Sequence, residues 1–309
     1  MGNPQVTVLM AVYNGSLFLR DAIESILSQT VRDFCFLIVD DASTDSSREI
    51  VRSYQDPRIE LLALERNVGQ TAALNQGLAH ARTAWIARMD ADDVSAPQRL
   101  EKQMKAIGEN PTVRCVGTGI WEFRDNPMVW EIVKSRPEAH EEIWKAALHG
   151  SGMVHGTIVV SREALLDAGG YDERYRYASD REMFIRLLAR YRAMNLQEPL
   201  LGVRRHPNQD SFSKIAADEY IQIYERWLTQ GQFSTTEREI LYRNLAYSHL
   251  FRARCFRNRN ELGNWCRDEI QAIRISPKAW ARNLLGTVSH HLLPSQVRTR
   301  LRKNFWNGA

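Results

Sequence analysis

An α/β fold, with a mostly parallel sheet flanked by helices and a helical C-terminal extension, is predicted by three observations. Over the first 118 residues short apolar runs alternate with helical patterns, the signature of βαβ units. The first run is apolar at almost every position, as a strand buried on both faces must be. Beyond Lys214 the pattern is helical nearly to the end, with only Pro277 and Pro294 as breaks.

The elements follow in order. Residues 6–13 form a strand, and Asn14-Gly15-Ser16 turns the chain into a helix whose Leu19, Ile23, Ile26 and Leu27 share one stripe. Residues 34–40 are the second strand, 45–53 a helix, 59–64 the third strand, 70–81 a helix and 85–89 the fourth strand. Pro97 suits the first turn of the next helix, which Pro111 stops after Asn110, and residues 113–117 are a fifth strand. From 119 to 214 the regularity falls away. Trp121, Trp130 and Trp144 lie among glycine-containing turns, helices are expected at 162–168 and 180–190, and a strand at 196–203. Substrate-binding loops belong in this stretch.

The 309 residues are 44% hydrophobic and 25% charged, which excludes disordered, collagen-like and coiled-coil chains. Cys35, Cys115, Cys255 and Cys266 are too scattered for a disulfide scaffold or a zinc module. The N-terminus lacks a basic segment followed by an apolar run, and no window is apolar enough to span a bilayer, so a cytoplasmic protein is expected. The net charge of +4 is unevenly spread: residues 236–309 hold 14 Lys and Arg against 5 Asp and Glu, and residues 1–235 hold 27 against 32.

Chemistry concentrates at strand ends. Asp90-Ala91-Asp92-Asp93 follows the fourth strand, and three carboxylates this close repel one another unless a cation or donor groups neutralise them. Oxygen ligands favour Mg²⁺ or Mn²⁺, and Mg²⁺ is commonly held by one or two carboxylates plus substrate phosphates. The alternative is a solvated acidic turn, with Asp93 or Ser95 capping the next helix. Asp40-Asp41 ends the second strand, where a polar ligand site competes with simple helix capping by Ser43 or Thr44. Tyr13 and Asn14, Asp41, and Asp90 to Asp93 all fall at the carboxyl ends of parallel strands, and that shared edge forms a nucleotide crevice.

These residues carry a resemblance. Val8-Leu9-Met10-Ala11-Val12-Tyr13-Asn14-Gly15, Ser25-Ile26-Leu27-Ser28-Gln29-Thr30, Ile38-Val39-Asp40-Asp41-Ala42-Ser43-Thr44-Asp45, Glu65-Arg66-Asn67-Val68-Gly69 and Ala87-Arg88-Met89-Asp90-Ala91-Asp92-Asp93 resemble family 2 glycosyltransferases. The likeness runs to residue 214. It implies the GT-A nucleotide-diphospho-sugar transferase fold, a Rossmann-like sheet in which residues 1–118 bind the nucleotide sugar and 119–214 bind the acceptor and hold the catalytic group. Residues 215–309 form a basic helical region. The implied reaction moves a sugar from a nucleotide diphosphate donor to a glycan or lipid-linked acceptor, with inversion and with Mg²⁺ or Mn²⁺. By position, Ala11, Tyr13 and Asp41 hold the base and Asp90 meets the ribose or the metal shell. Asp92 binds the metal that bridges the phosphates, with Asp93 in support. The family pattern has Gly where this chain has Ala42.

Tyr177-Ala178-Ser179-Asp180-Arg181-Glu182-Met183-Phe184 resembles the family's Glu-Asp motif, which implies Asp180 as the general base. Ser179 replaces the usual Glu. Taken alone, Asp180 reads as an acid favoured by a helix N-terminus. Val154-His155-Gly156-Thr157 and Gly169-Gly170-Tyr171-Asp172 resemble the acceptor-side segment, in which Gly170 permits a turn with positive φ and Tyr171 lines the pocket. A lone histidine such as His155 is more often structural than functional. Arg204-Arg205-His206-Pro207-Asn208 resembles the loop that closes over the diphosphate, with His206 completing the metal shell and Arg205 meeting phosphate; a solvated basic loop is the alternative.

In the tail, Arg252, Arg254, Arg257 and Arg259 interleave with Leu250, Phe251 and Phe256, and Arg298, Arg300, Arg302 and Lys303 surround Val297, Leu301, Phe305 and Trp306. Such helices can lie peripherally on an anionic membrane or form a solvated cap. Nucleic acid is not the expected partner, because the acidic crevice repels its backbone. The expectation is therefore a glycosyltransferase of cell-surface polysaccharide synthesis on the inner face of the membrane. A non-catalytic nucleotide-sugar scaffold or sensor is the rival, and the missing GxGxxG loop argues against a dehydrogenase.

Overall fold

The computed structural model describes residues 5–150, 152–206, 214–257 and 261–281. The chain divides into two compact units, Met1–Ser211 and Phe212–Ala309. In the first, β1 (Val6–Val12), β2 (Cys35–Asp40), β3 (Ile59–Ala63) and β4 (Trp85–Met89) pair in parallel in the order β3-β2-β1-β4. The sheet continues through β5 (Val94–Ser95), β6 (Val113–Phe123), β8 (Val159–Ser161) and β9 (Arg192–Arg204) in the order β8-β6-β9-β5, with β7 (Ile132–Lys134) on the side of β6. β8 is antiparallel to both β4 and β6, and β9 is parallel to β6, so β1, β2, β4, β6 and β9 all end on one edge.

All seven residues of β1 are buried, and its side chains divide between two cores by the period of the strand. Leu9 joins Leu37 and the α3 (Gln70–His80) residues Leu74 and Leu78 on one face. Val8, Met10 and Val12 join α1 (Leu19–Leu27) and α4 (Arg99–Glu109) on the other, through Leu19, Ile23, Ile26 and Leu100. The remaining helices of this unit are α2 (Ser47–Arg52), α5 (His140–Leu148), α6 (Arg162–Asp167) and α7 (Ser179–Leu188).

Three expectations change. The strand expected at 113–117 runs on to Phe123 through register shifts around Gly119, where a Cβ would press on the carbonyls of Gln197 and Glu198 at 3.0 and 3.1 Å. The halves on either side of residue 118 thus share one strand. Second, Asp93 and Ser95 do not cap a helix: Val94 and Ser95 pair with Gly202 and Leu201, and α4 starts only after Gln98. Third, the helical region breaks at more places than the two prolines. α8 (Lys214–Gln230) and α9 (Thr235–Arg257) are separated by residues 231–234, where Ser234 and Glu237 form a reciprocal capping box at 2.8 and 3.3 Å.

Pro277 follows the end of α10 (Leu262–Ile275) and Ser276, and Pro294 lies outside the described residues. In this unit Arg252 bonds Asp268 and Asp218 at 2.7 Å, so its charge is spent among the helices, and Leu250 is buried. Arg259 and residues 297–306 lie outside the described residues.

Candidate active site

The site edge is assembled from strand ends that cross-link one another. After β1, Asn14 adopts φ 51° and its Oδ1 accepts from the amides of Thr44 at 2.8 Å and Asp45 at 3.3 Å. The amides of Asn14, Gly15 and Ser16 donate in turn to Ser43, Ser47 and Asp45. Ser43 and Thr44 therefore join two loops rather than cap α2. Hydrogen bonds from Ser47 and Ser16 override the burial of Asp45 and hold its carboxyl at about 2. Ala11 is buried in β1, and beside this loop pair Tyr13 is 51% exposed, a free face for stacking.

The two aspartates after β2 have different tasks. Asp40 is fully buried and pairs with Arg48 at 2.5 Å. Asp41 accepts from the amides of Val68 and Gly69 at 2.7 and 2.8 Å, which shapes the loop leading into α3. Ala42 sits at φ 59°, which explains the glycine of the family pattern: a Cβ in the left-handed region costs roughly 1–2 kcal/mol.

The acidic cluster follows β4. Asp90 accepts from the fully buried Arg88 at 2.6 Å; burial opposes its ionisation, but the charge of Arg88 prevails and holds its pKa below the usual range. Burial and then the Asp90 charge push the Asp92 carboxyl up. Asp93 is raised well above the usual range by burial and then by Asp92 and Asp90, although its Oδ1 accepts from the Arg204 amide at 3.0 Å. His206 Nε2 lies 3.0 Å from Asp92 Oδ2, and its buried Nδ1 has no hydrogen-bond partner. Uncompensated carboxylates beside an unpartnered imidazole nitrogen fit a divalent cation. Among the described residues no three His, Cys, Asp or Glu side chains enclose such an ion unaided, so the diphosphate would have to supply further ligands.

Residues 155–182 also approach the cluster. The 3₁₀ turn His155–Thr157 crosses the cluster so closely that a Cβ on Gly156 would stand 3.0 Å from Asp90 Oδ2. Burial and the Arg88 charge lower His155 to about 3, and its Nε2 lies 2.8 Å from the hydroxyl of Tyr171. Tyr171 is buried, so it backs the histidine rather than facing the open crevice. Gly170, before it, has φ 63°, the turn geometry expected there.

Asp180 lies in the first turn of α7, its Oδ1 accepting from the Arg181 amide at 2.7 Å. Burial raises its pKa; Arg181 opposes the rise and the Asp90 charge adds to it, so Asp180 lies within electrostatic reach of the acidic cluster. Glu182, the other acid of the segment, is fully buried against Arg186 at 2.5 Å.

Sequence reading missed two organising arginines. Buried Arg204 donates to the Asp92 carbonyl at 3.0 Å and to Asp21 at 2.6 Å, and lies between the rings of Phe18 and Phe123 at 4.4 and 4.7 Å. Arg88 anchors Asp90 through an ion pair to its carboxylate at 2.6 Å. Their one available signal was an arginine within or ending an apolar strand, which requires buried partners. Arg205, expected to meet phosphate, pairs with Glu122. Replacing Arg204 by Met is expected to lower stability by about 2–3 kcal/mol, read from denaturant midpoints, because the cation–π sandwich and its hydrogen bonds go together.

Residues 7–169 match the model of glycosyl transferase family 2. An uncharacterized glycosyltransferase of Methanocaldococcus jannaschii, MJ1057, is 33% identical over 241 residues, covering 75% of this chain and 83% of that protein. The O-antigen biosynthesis glycosyltransferase WbnJ of Escherichia coli is 32% identical, covering 68% and 84%. The UDP-Gal:alpha-D-GlcNAc-diphosphoundecaprenol beta-1,3-galactosyltransferase of Escherichia coli is 30% identical, covering 65% and 74%.

Two solved structures share the fold. Staphylococcus aureus TarS with UDP-GlcNAc has a TM-score of 0.68 at 16% identity, over 92% of this chain and 85% of that one. The mannosyltransferase PcManGT of Pyrobaculum calidifontis with GDP-Man and Mn²⁺ has a TM-score of 0.62 at 21% identity, over 100% and 89%. A family match of this extent, on a sheet whose acidic strand ends meet at one edge, means that the chain belongs to glycosyl transferase family 2 and is a glycosyltransferase with the GT-A fold.

Proposed function

We propose that the protein is an inverting, metal-dependent transferase that moves a sugar from a nucleotide diphosphate donor to a glycan or lipid-linked acceptor in cell-surface polysaccharide synthesis. The observation that carries this reading is the gathering of Asp90, Asp92 and Asp93 at the strand edge, with Asp180 near enough for the Asp90 charge to act on its carboxyl. In this reading Tyr13 stacks on the base, Ala11 and Asp41, whose carboxylate also carries the Val68 and Gly69 amides, complete its pocket, and Asp90 orients the ribose side. Asp92 and His206, with Asp93 in support, would hold Mg²⁺ or Mn²⁺, and a cation there would supply positive charge to the departing diphosphate.

Asp180 accepts the proton of the acceptor hydroxyl as its oxygen attacks the anomeric carbon. The bond from that carbon to the diphosphate oxygen breaks on the opposite face, its electrons leave with the diphosphate, and one displacement inverts the centre. Arg88 keeps Asp90 ionised throughout. The donor and lipid-linked acceptor named for the Escherichia coli galactosyltransferase support nucleotide sugars and membrane lipid acceptors as the classes to test. Among the described residues no helix is long and apolar enough to cross a membrane, so such an acceptor would be met at a surface.

Screening nucleotide diphosphate sugars for Mn²⁺-dependent thermal stabilisation and slow donor hydrolysis tests the reading; a flat response to every donor with and without Mn²⁺ overturns it. The pH profile adds a second check. The base must be ionised, and burial raises its pKa, so kcat at saturating donor falls as pH drops through a midpoint above the ordinary aspartate value of 3.8.

A further inference from the structure

The hairpin joining β6 to β7 exposes an unusual amount of apolar surface. Met128, Val129, Trp130, Ile132 and Val133 are 84, 60, 51, 47 and 54% exposed. The hairpin is nevertheless well built. Trp130 stacks on Trp121 at 5.2 Å, Trp121 Nε1 donates to the Pro127 carbonyl at 3.0 Å, and the Val129 amide donates to the Asn126 carbonyl at 3.0 Å. Order combined with exposure marks a surface that something covers.

Geometry narrows what that is. Ile132 and Val133 are successive strand residues and point to opposite faces, while Met128 and Val129 occupy the tip. A protein surface would cover one face and leave the other in water, whereas a lipid phase surrounds both. Trp130 has the amphipathic ring that suits a headgroup boundary. At the hairpin base Arg124, Lys134 and Arg205 are matched by Glu122, Asp125 and Glu131, so the base is charge-balanced and the apolar tip alone drives insertion. Arg204, which holds Asp92 and Asp93, also points toward the carbonyls of Arg124 and Asp125 at 3.4 and 3.5 Å, so the hairpin is fastened to the catalytic edge.

We propose that residues 124–134 insert their apolar tip into the headgroup boundary of a lipid bilayer and hold the catalytic edge at its surface. This deepens the membrane-acceptor part of the reading above and is tested separately from it. The probe is a vesicle of equal parts phosphatidylethanolamine and phosphatidylglycerol, with the full chain and its double variant Val129→Asp/Ile132→Asp. In about 0.5 M NaCl the attraction of the basic tail is screened, and apolar insertion remains. There the wild type is expected to sediment with vesicles and to lose tryptophan fluorescence to bromine-labelled lipid. The variant should bind about tenfold more weakly or less, at an unchanged melting temperature.

Equal binding by both proteins, or loss of all wild-type binding at high salt, overturns the proposal. So does a wild type that dimerises where the variant stays monomeric, because a second copy then covers the hairpin. If the aspartates prevent folding, Val129→Ser/Ile132→Thr replaces them. Vesicle binding without any donor-induced stabilisation counts against the proposed function and leaves the hairpin standing; the reverse result does the opposite.

Discussion

Asp180→Asn is expected to leave donor binding intact and to lower transfer by roughly 10²–10⁴-fold, the usual share of a positioned general base. The substitution keeps shape and removes the proton acceptor. Neighbouring groups offer no replacement: Glu182 is neutralised by Arg186, and His155 is lowered to about 3, which makes it a weak base. Donor affinity from thermal-shift titration, set beside kcat on the same preparation, separates binding from chemistry. Full activity in the variant would mean that another group takes the proton.

Asp92→Asn should abolish the Mn²⁺-dependent part of nucleotide binding, weakening donor affinity in Mn²⁺ by roughly 10–100-fold or more. The amide can still meet His206, so charge alone is tested. A second signature has the opposite sign. Asp92 is raised in the folded protein by burial and by Asp90, so its ionised form disfavours folding as pH rises through that raised value. Without metal, the Asn variant should therefore be at least as stable as the parent at neutral pH. A drop in metal-free stability, or unchanged donor affinity in Mn²⁺, would remove Asp92 from the metal site.

Parts of this were legible because they are local. The apolar run of β1, the amphipathic stripe of α1 and the strand 85–89 depend only on periodicity, and β4 indeed spans Trp85–Met89. The placement of Asp41 and Asp90 to Asp93 at strand ends follows from that alternation. The extent of β6 was not legible, because its continuation past Gly119 is set by pairing with β9 rather than by its own pattern. Nor was β5, whose two residues are a strand only because Gly202 and Leu201 lie beside them. Among basic residues the sequence pointed to Arg205 for phosphate, yet Arg204 next to it carries the organising contacts.

Residue order alone determined the α/β class, the edge on which the acidic groups gather and, through its motifs, the family. Tertiary structure alone decided that Asp40 pairs with Arg48 while Asp41 shapes the loop before α3, that Asp90 is held below the usual carboxylate range while Asp92 and Asp93 are pushed above it, and that an apolar hairpin projects beside them. The reason is one of range. Strands and helices answer to neighbours a few positions away, but the state of a carboxylate is set by burial and by charges such as Arg88 and Arg204 that folding brings alongside it.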